Sequence, residues 1–196
     1  MSLTRRLKMN DIYALIDSYT PRNKFEEADK HLMLKLIKEN PTTILTRKST
    51  VAHVTASGFI LNKKRNKVLM IHHNIYNSWG WTGGHADGNP NLLEVALKEA
   101  REETGLNDIQ PLDKQIAAID ILPVFQHMKN SQPFSAHLHL NITYLLSANE
   151  EDVLTVKPDE NSAVAWIPID QISNYCHEAH MIPIYKKLID LKKALY

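Results

Sequence analysis

The sequence predicts an α/β protein, and three observations carry that expectation. A glycine-rich loop runs directly into a short acidic helix between Gly83 and Leu106. Segments with continuous apolar runs or strict alternation, the signatures of strands, fall at 54–73, 115–122, 136–146 and 163–167. Amphipathic helical stripes stand before and after them, from Ile12 to about Asn40 and from about Ile182 to Leu195.

The bulk properties narrow the class of function. A chain of 196 residues suits one domain, or one domain with an extension. Its hydrophobic content of 43% is that of an ordinary globular chain, and a net charge of +1 gives no broad attraction to nucleic acid or membrane. The single cysteine, Cys176, excludes an intrachain disulfide and fits a reducing cytosol, so a cytoplasmic location is expected. Arg5, Arg6 and Lys8 are followed by no apolar run, so neither a signal peptide nor a transmembrane helix is expected. There is no internal repeat and no low-complexity tract.

Taken in order, residues 1–45 read as helical. Ile12, Leu15 and Ile16 form a short stripe closed by Pro21. Phe25, Ala28, Leu32, Leu36 and Ile37 form a longer one from Asn23 to about Asn40, closed by Pro41. These helices are expected to form an extension (1–45) to a domain spanning 46–196; packing on that domain is the favoured role, and covering the site or forming a dimer contact are the alternatives. They resemble no complete helix-turn-helix or zinc finger, so no DNA-reading role follows. Strands begin after Val51: Val54–Leu61, a turn at 63–66 and Lys67–His73 make a hairpin. The run Val68-Leu69-Met70-Ile71 suggests a strand covered on both faces. His72 and His73 point to opposite faces, which suits a structural or substrate-edge role better than shared ligation of one ion. Trp79 and Trp81 flank the glycine loop; either could stack on a base, although core packing is the commoner use of a Trp.

The loop–helix stretch is the chemical signal. Asn89 can cap the helix, Pro90 suits its first turn and Gly105 its stop. Leu93, Ala96, Leu97, Ala100 and Thr104 make a core-facing stripe, and Glu99, Glu102 and Glu103 fall on a different face. Like charges one turn apart repel by a few tenths of a kcal/mol per pair, roughly, unless something neutralises them. A divalent cation would turn that repulsion into coordination, and carboxylate oxygens suit Mg²⁺ or Mn²⁺. The plain alternative is a solvated face with Glu94–Lys98 and Lys98–Glu102 pairs. The glycines ahead of the helix favour the metal, because they let backbone groups approach an ion or a phosphate closely.

Beyond the helix, the 136–146 strand puts Leu138, Leu140, Ile142 and Tyr144 on one face and His137, His139, Asn141 and Thr143 on the other. The polar face could hydrogen-bond phosphates or a ribose, or it could face solvent. The polar loop from Gln126 to Ser135 is of a length that often carries specificity. Asp159 and Glu160 precede a strand at Ala163–Ile167, Asp170 could begin a short helix, and Ile184, Leu188 and Leu191 line a last one.

The stretch from Gly84 to Leu106 resembles the Nudix box, Gly-x5-Glu-x7-Arg-Glu-aliphatic-x-Glu-Glu-x-Gly-aliphatic. Glu99, Ala100, Glu102, Glu103, Gly105 and Leu106 fall on family positions. Pro90 stands where the family has its first glutamate, and Lys98 where it has an arginine that holds the box glutamates by forked hydrogen bonds; a lysine supplies a mobile point charge instead. By its flanking pattern the resemblance covers roughly residues 50 to 170.

That resemblance implies an α/β/α sandwich with a mixed sheet, the box helix on one side and the C-terminal helix on the other. It implies hydrolysis of a phosphoanhydride in a nucleoside diphosphate linked to another group. Glu99, Glu102 and Glu103, with a backbone carbonyl of Gly83 or Gly84, would hold Mg²⁺ or Mn²⁺. Glu99 or Glu160 would act as general base, with Asp159 the runner-up to Glu160. Trp79, Trp81, His85, Lys98, His137 and His139 are the candidate substrate-binding residues. The expected partner is a small nucleotide-type molecule, with no nucleic acid and no membrane, and homodimers are common in proteins of this type. The other class of function is a Nudix-fold module that binds a nucleotide or a partner without catalysis, which the departures at Pro90 and Lys98 would suit.

Overall fold

A computed structural model describes residues 11–129 and 131–194. The chain divides into two compact units, one formed by residues 11–56, His85–Leu92 and Ala118–Ile142, the other by Ser57–Gly84, Leu93–Ala117 and residues 143–194.

The first unit opens with two helices, α1 (residues 11–17) and α2 (Lys24–Glu39). Asn23 caps α2 as its sequence suggests, accepting from the N–H groups of Phe25 and Glu26, both at 2.9 Å. The buried face differs from the expected stripe. Phe25 is 85% exposed and Leu32 is exposed too, while Glu26, Met33 and Ile37 are buried. Polar contacts set this rotation. The Glu26 carboxylate accepts from the Tyr19 hydroxyl at 2.7 Å and the Arg22 N–H at 2.8 Å, and Asp29 accepts the Ile121 N–H at 3.0 Å. Of the expected stripe Ile37 is buried and Leu36 half-buried, while Phe25, Ala28 and Leu32 are exposed, because apolar periodicity gives no weight to a buried carboxylate.

Three strands meet in this unit: the first half of β1 (Ala52–Asn62), the first half of β9 (His137–Ala148), and β6 (Ala118–Val124), which pairs with β9. The Leu138 N–H bonds the Val51 carbonyl and the Thr55 hydroxyl bonds the Asn141 side chain, so β1 and β9 advance together and run parallel. The segment expected to be a plain loop, Gln126 to Ser135, instead holds a two-stranded hairpin, β7 (His127–Lys129) and β8 (Gln132–Phe134), with His127 stacked on Phe134. Ser131 takes a positive φ of 60° in its turn, a conformation that no glycine announces.

The second unit carries the strand order β10-β2-β1-β9-β5, with β3 (Ser78–Gly80) on β2 (Lys67–His73), β5 at Gln110–Pro111 and β10 at Asn161–Pro168. The β1–β2 hairpin forms as expected, antiparallel, with Ile60 opposite Leu69 and Leu61 opposite Val68. Its turn is held by Asn62, whose side-chain oxygen accepts the N–H groups of Asn66 and Lys67. Val68 to Ile71 are buried throughout, as a strand covered on both faces requires. β2 pairs β10 on one edge, antiparallel, from Ala163 opposite His72 to Pro168 opposite Lys67. Helix α4 is a single turn (Ile172–Tyr175) whose N-cap position is Gln171 rather than Asp170. Helix α5 (Ile182–Ala194) packs through Tyr185, which stacks on Phe59 and meets Trp81 edge-on. Among the described residues no helix is long and apolar enough to cross a membrane.

Candidate active site

The acidic helix α3 spans Leu92–Thr104. It starts two residues later than the expected cap allows. Asn89 accepts the Asn91 N–H at 3.0 Å and so shapes the turn before the helix, and Pro90 lies in that turn. The stop is as expected: Gly105 has φ +75° and its N–H bonds the Arg101 carbonyl. The buried face runs through Leu92, Val95, Ala96, Ala100, Glu103 and Thr104, with Leu93 and Leu97 only half-buried. One of the three glutamates therefore belongs to the core-facing side of the helix.

That residue, Glu103, is 3% exposed. Its carboxylate accepts the Gly83 N–H at 2.9 Å, and its backbone carbonyl accepts the Asn161 side-chain amide at 3.0 Å. Burial pushes its carboxyl up to about 8; repulsion from Glu99 and Glu160 acts in the same direction, and the Gly83 N–H and Lys157 oppose it. Glu99 is half-buried, and its carboxyl is also raised, by burial first and by Glu102, against the pull of Lys98. Glu102 is the exposed member, held below the usual carboxylate range chiefly by its hydrogen bond from Lys98.

Two lysines thread these carboxylates. Lys98 Nζ lies 3.3 Å from Glu99 and 3.0 Å from Glu102. Lys157 lies 3.6 Å from Glu102 and 3.0 Å from Glu160. Glu160 is thus brought to the same group as the helix glutamates, whereas Asp159 is exposed and makes none of these ion pairs. The sequence reading missed Lys157, although its place three residues before Glu160 was a signal. It also missed Asn161, buried at the start of β10, whose amide fixes the end of α3.

The donor set fits a hard divalent cation. Three or four carboxylates converge, two of them with their charged form penalised by burial, and Gly83 and Gly84 of the strand before the helix approach them without side chains. β4 (Thr82–His85) carries that approach. A Cβ on Gly84 would lie 2.5 Å from the Glu99 carboxyl carbon, so only glycine leaves Glu99 where it is. Glu99, Glu102 and Glu103 would hold the ion, with a backbone oxygen of Gly83 or Gly84.

The remaining candidates make none of these ion pairs. Trp79 is half-exposed, edge-on to His72 at 5.5 Å and to Tyr175 at 6.2 Å. Trp81 is 7% exposed, with its backbone N–H bonded to the Tyr185 hydroxyl. His72 bonds Ser162, and burial lowers the proton affinity of His73. His85, His137 and His139 gather around His53 in the first unit, a residue the sequence reading did not single out.

The NUDIX domain matches residues 51–188, and the chain belongs to the Nudix family, whose α/β/α sandwich with a mixed sheet is the fold class the sequence predicts. Solved structures share the fold at low identity. A Nudix hydrolase from M. smegmatis, RenU, aligns with a TM-score of 0.55 at 14% identity, over 74% of this chain and 88% of that one. The E. coli dihydroneopterin triphosphate pyrophosphohydrolase aligns at 0.53 and 12%, over 70% and 94%. A C. elegans Ap4A hydrolase in a binary complex aligns at 0.50 and 15%, over 72% and 98%. No curated protein sequence matches the chain.

Proposed function

We propose that this protein is a metal-dependent pyrophosphohydrolase that cleaves a phosphoanhydride bond in a nucleoside diphosphate linked to another group. The observation that carries the proposal is the convergence of Glu99, Glu102, Glu103 and Glu160 beside the Gly83-Gly84 pair of β4, with Glu103 buried and electrostatically uncomfortable. Such a group gains most from a cation. Mg²⁺ or Mn²⁺ bound there supplies neutralising charge for the diphosphate and acidifies an attacking water. Glu102 and Glu103 serve as ligands, aided by Glu99 and Gly84. Glu99 or Glu160 takes the proton; Glu99 suits the task because burial raises its basicity, and losing such a base typically costs about 10²- to 10⁴-fold. Lys98 and Lys157 orient the carboxylates. The substrate is a small nucleotide-type molecule. Dihydroneopterin triphosphate and Ap4A, named for two fold neighbours, join ADP-ribose and dinucleotide cofactors as compounds to try.

The test is phosphate release from such a panel in Mg²⁺ and then Mn²⁺, with a coupled phosphatase. Turnover of one compound class, lost in Glu102→Gln/Glu103→Gln, is the expected result. A second reading, a non-catalytic nucleotide binder, draws on Lys98 and Lys157, which already pair with carboxylates that a catalytic ion needs. Nucleotide binding by calorimetry without turnover of any panel member would establish it.

A further inference from the structure

A second set of metal-ligating side chains shares no residue with the carboxylate group. His53 on β1 and His137 and His139 on β9 project from neighbouring parallel strands, and alternation puts all three on one face. The buried hydrogen bond from Thr55 to Asn141, 3.0 Å, continues the same face and fixes the register between the strands. The three rings lie 4.9–5.1 Å apart, centroid to centroid, and one ring nitrogen from each can be chosen so that no pair is more than 4.8 Å apart.

The protonation pattern points inward. His53 Nδ1 is 2.9 Å from the Ser49 carbonyl, and His137 Nδ1 is 2.9 Å from the Ser135 carbonyl. A carbonyl oxygen only accepts, so each Nδ1 carries the proton and, in the neutral ring, leaves Nε2 with a lone pair. A backbone carbonyl in this place is how proteins orient metal-bound imidazoles. His53 is only 5% exposed, and its Nε2, like that of His139, is buried without a hydrogen-bond partner. Native interiors seldom leave such atoms unpaired.

Protonation of His53 and His139, which an anion site would require, is opposed. Burial first, then the neighbouring imidazoles, push the proton affinity of His139 down to about 2, and burial lowers that of His53. Arg47, the cation facing these rings, is engaged by Asp87 through two hydrogen bonds of 3.2 and 3.0 Å. Neutral imidazole nitrogens are ligands for late first-row metals rather than for Mg²⁺.

We propose that His53, His137 and His139 form a binding site for Zn²⁺ or a similar late first-row divalent cation, with one coordination position open to water or an anionic oxygen. Zn–N bonds of about 2.0–2.1 Å in a tetrahedron set the nitrogens about 3.4 Å apart, so the rings must close by roughly an ångström. His137, half-exposed at the start of β9, has the room to do so. His85, 4.9 Å from both His53 and His139, stands beside the three as an outer partner. The site does not depend on the hydrolase reading.

The test uses the full chain, stripped with a chelator and titrated with Zn²⁺ by calorimetry in excess Mg²⁺, which saturates oxygen-ligand sites. One equivalent of Zn²⁺ should bind, and Co²⁺ in its place should give the visible absorption of a four-coordinate nitrogen site. His137→Ala, the substitution least able to disturb packing, should weaken Zn²⁺ by more than the 10- to 100-fold, roughly, that outer partners cost. His139→Ala should do the same, and both readouts should survive in Glu102→Gln/Glu103→Gln. Absence of stoichiometric Zn²⁺ binding in the unsubstituted protein overturns the site, whatever the variants do. So does Zn²⁺ affinity unchanged in folded His137→Ala, or histidine-dependent binding of inorganic phosphate with no metal bound.

Discussion

Two glycines at the ends of the box show how one atom can have different consequences at different places. At Gly84 an added Cβ would meet the far end of the Glu99 side chain, 2.5 Å from its carboxyl carbon. A flexible side chain can yield, so Gly84→Ala should keep the fold and displace the Glu99 carboxylate. A misplacement of about an ångström at a reacting group costs on the order of 10²-fold in rate. The expected outcome is a melting temperature close to that of the parent protein and turnover about a hundredfold lower. Unchanged turnover would remove Glu99 and Gly84 from the reaction. At this scale the sequence is informative where placement is local: the spacing of Glu99, Glu102 and Glu103 puts them on one helix, within a turn or so of each other. It was silent on which of the three is buried, because helical periodicity counts apolar residues and Glu103 lies on the same side as Ala96 and Ala100.

The helix as an element is defined by its ends. Gly105 closes α3 in the left-handed region, at φ +75°, and an added Cβ would lie 2.6 Å from the Thr155 Cβ and 3.1 Å from the Thr155 nitrogen. The Thr155 N–H bonds the Thr104 carbonyl, so this neighbour is backbone anchored to the helix and cannot step aside. Gly105→Ala should therefore cost stability, about 1–3 kcal/mol from the backbone conformation with the clash in addition. Chemical denaturation should show a lower midpoint with an unchanged slope. A midpoint equal to that of the parent would mean that the segment around Thr155 moves freely. α2 gives the complementary lesson. Its start at Asn23 was legible, since a cap is a local device, but its buried face was not. Glu26 and Asp29 take part in contacts with Tyr19, Arg22 and Ile121, and residues up to 92 positions away leave no mark on a helical wheel.

For the whole molecule the question is what residues 1–45 contribute. The described part, residues 11–45, shares its compact unit with 46–56, and Ile12, Ile16, Met33, Ile37 and Ile44 are all buried. Full burial of one such side chain is worth about 1.5–3 kcal/mol, and five together approach the 5–15 kcal/mol, roughly, that separates a folded domain from its unfolded chain. A truncation beginning at residue 46 should accordingly fail to melt cooperatively or aggregate on expression, rather than behave as a trimmed enzyme. A soluble truncation with a normal melting curve would make the helices an appendage.

The amino-acid sequence by itself determined the family, the α/β class, the β1–β2 hairpin, the stop of the box helix and the placing of three glutamates on that helix. Each of these is written in short-range spacing: alternation, a three- to four-residue step, a turn residue, a fixed gap. Only the tertiary structure decided that Lys157 and Asn161 join the box, that Glu103 is the buried glutamate, that α2 turns a carboxylate inward, and that His53 completes a cluster with His137 and His139. The physical reason is the same in every case. Burial and charge pairing are set by what strand pairing and packing bring together, and His53 stands 84 positions before His137 (137 − 53), on a strand whose partner no local pattern names.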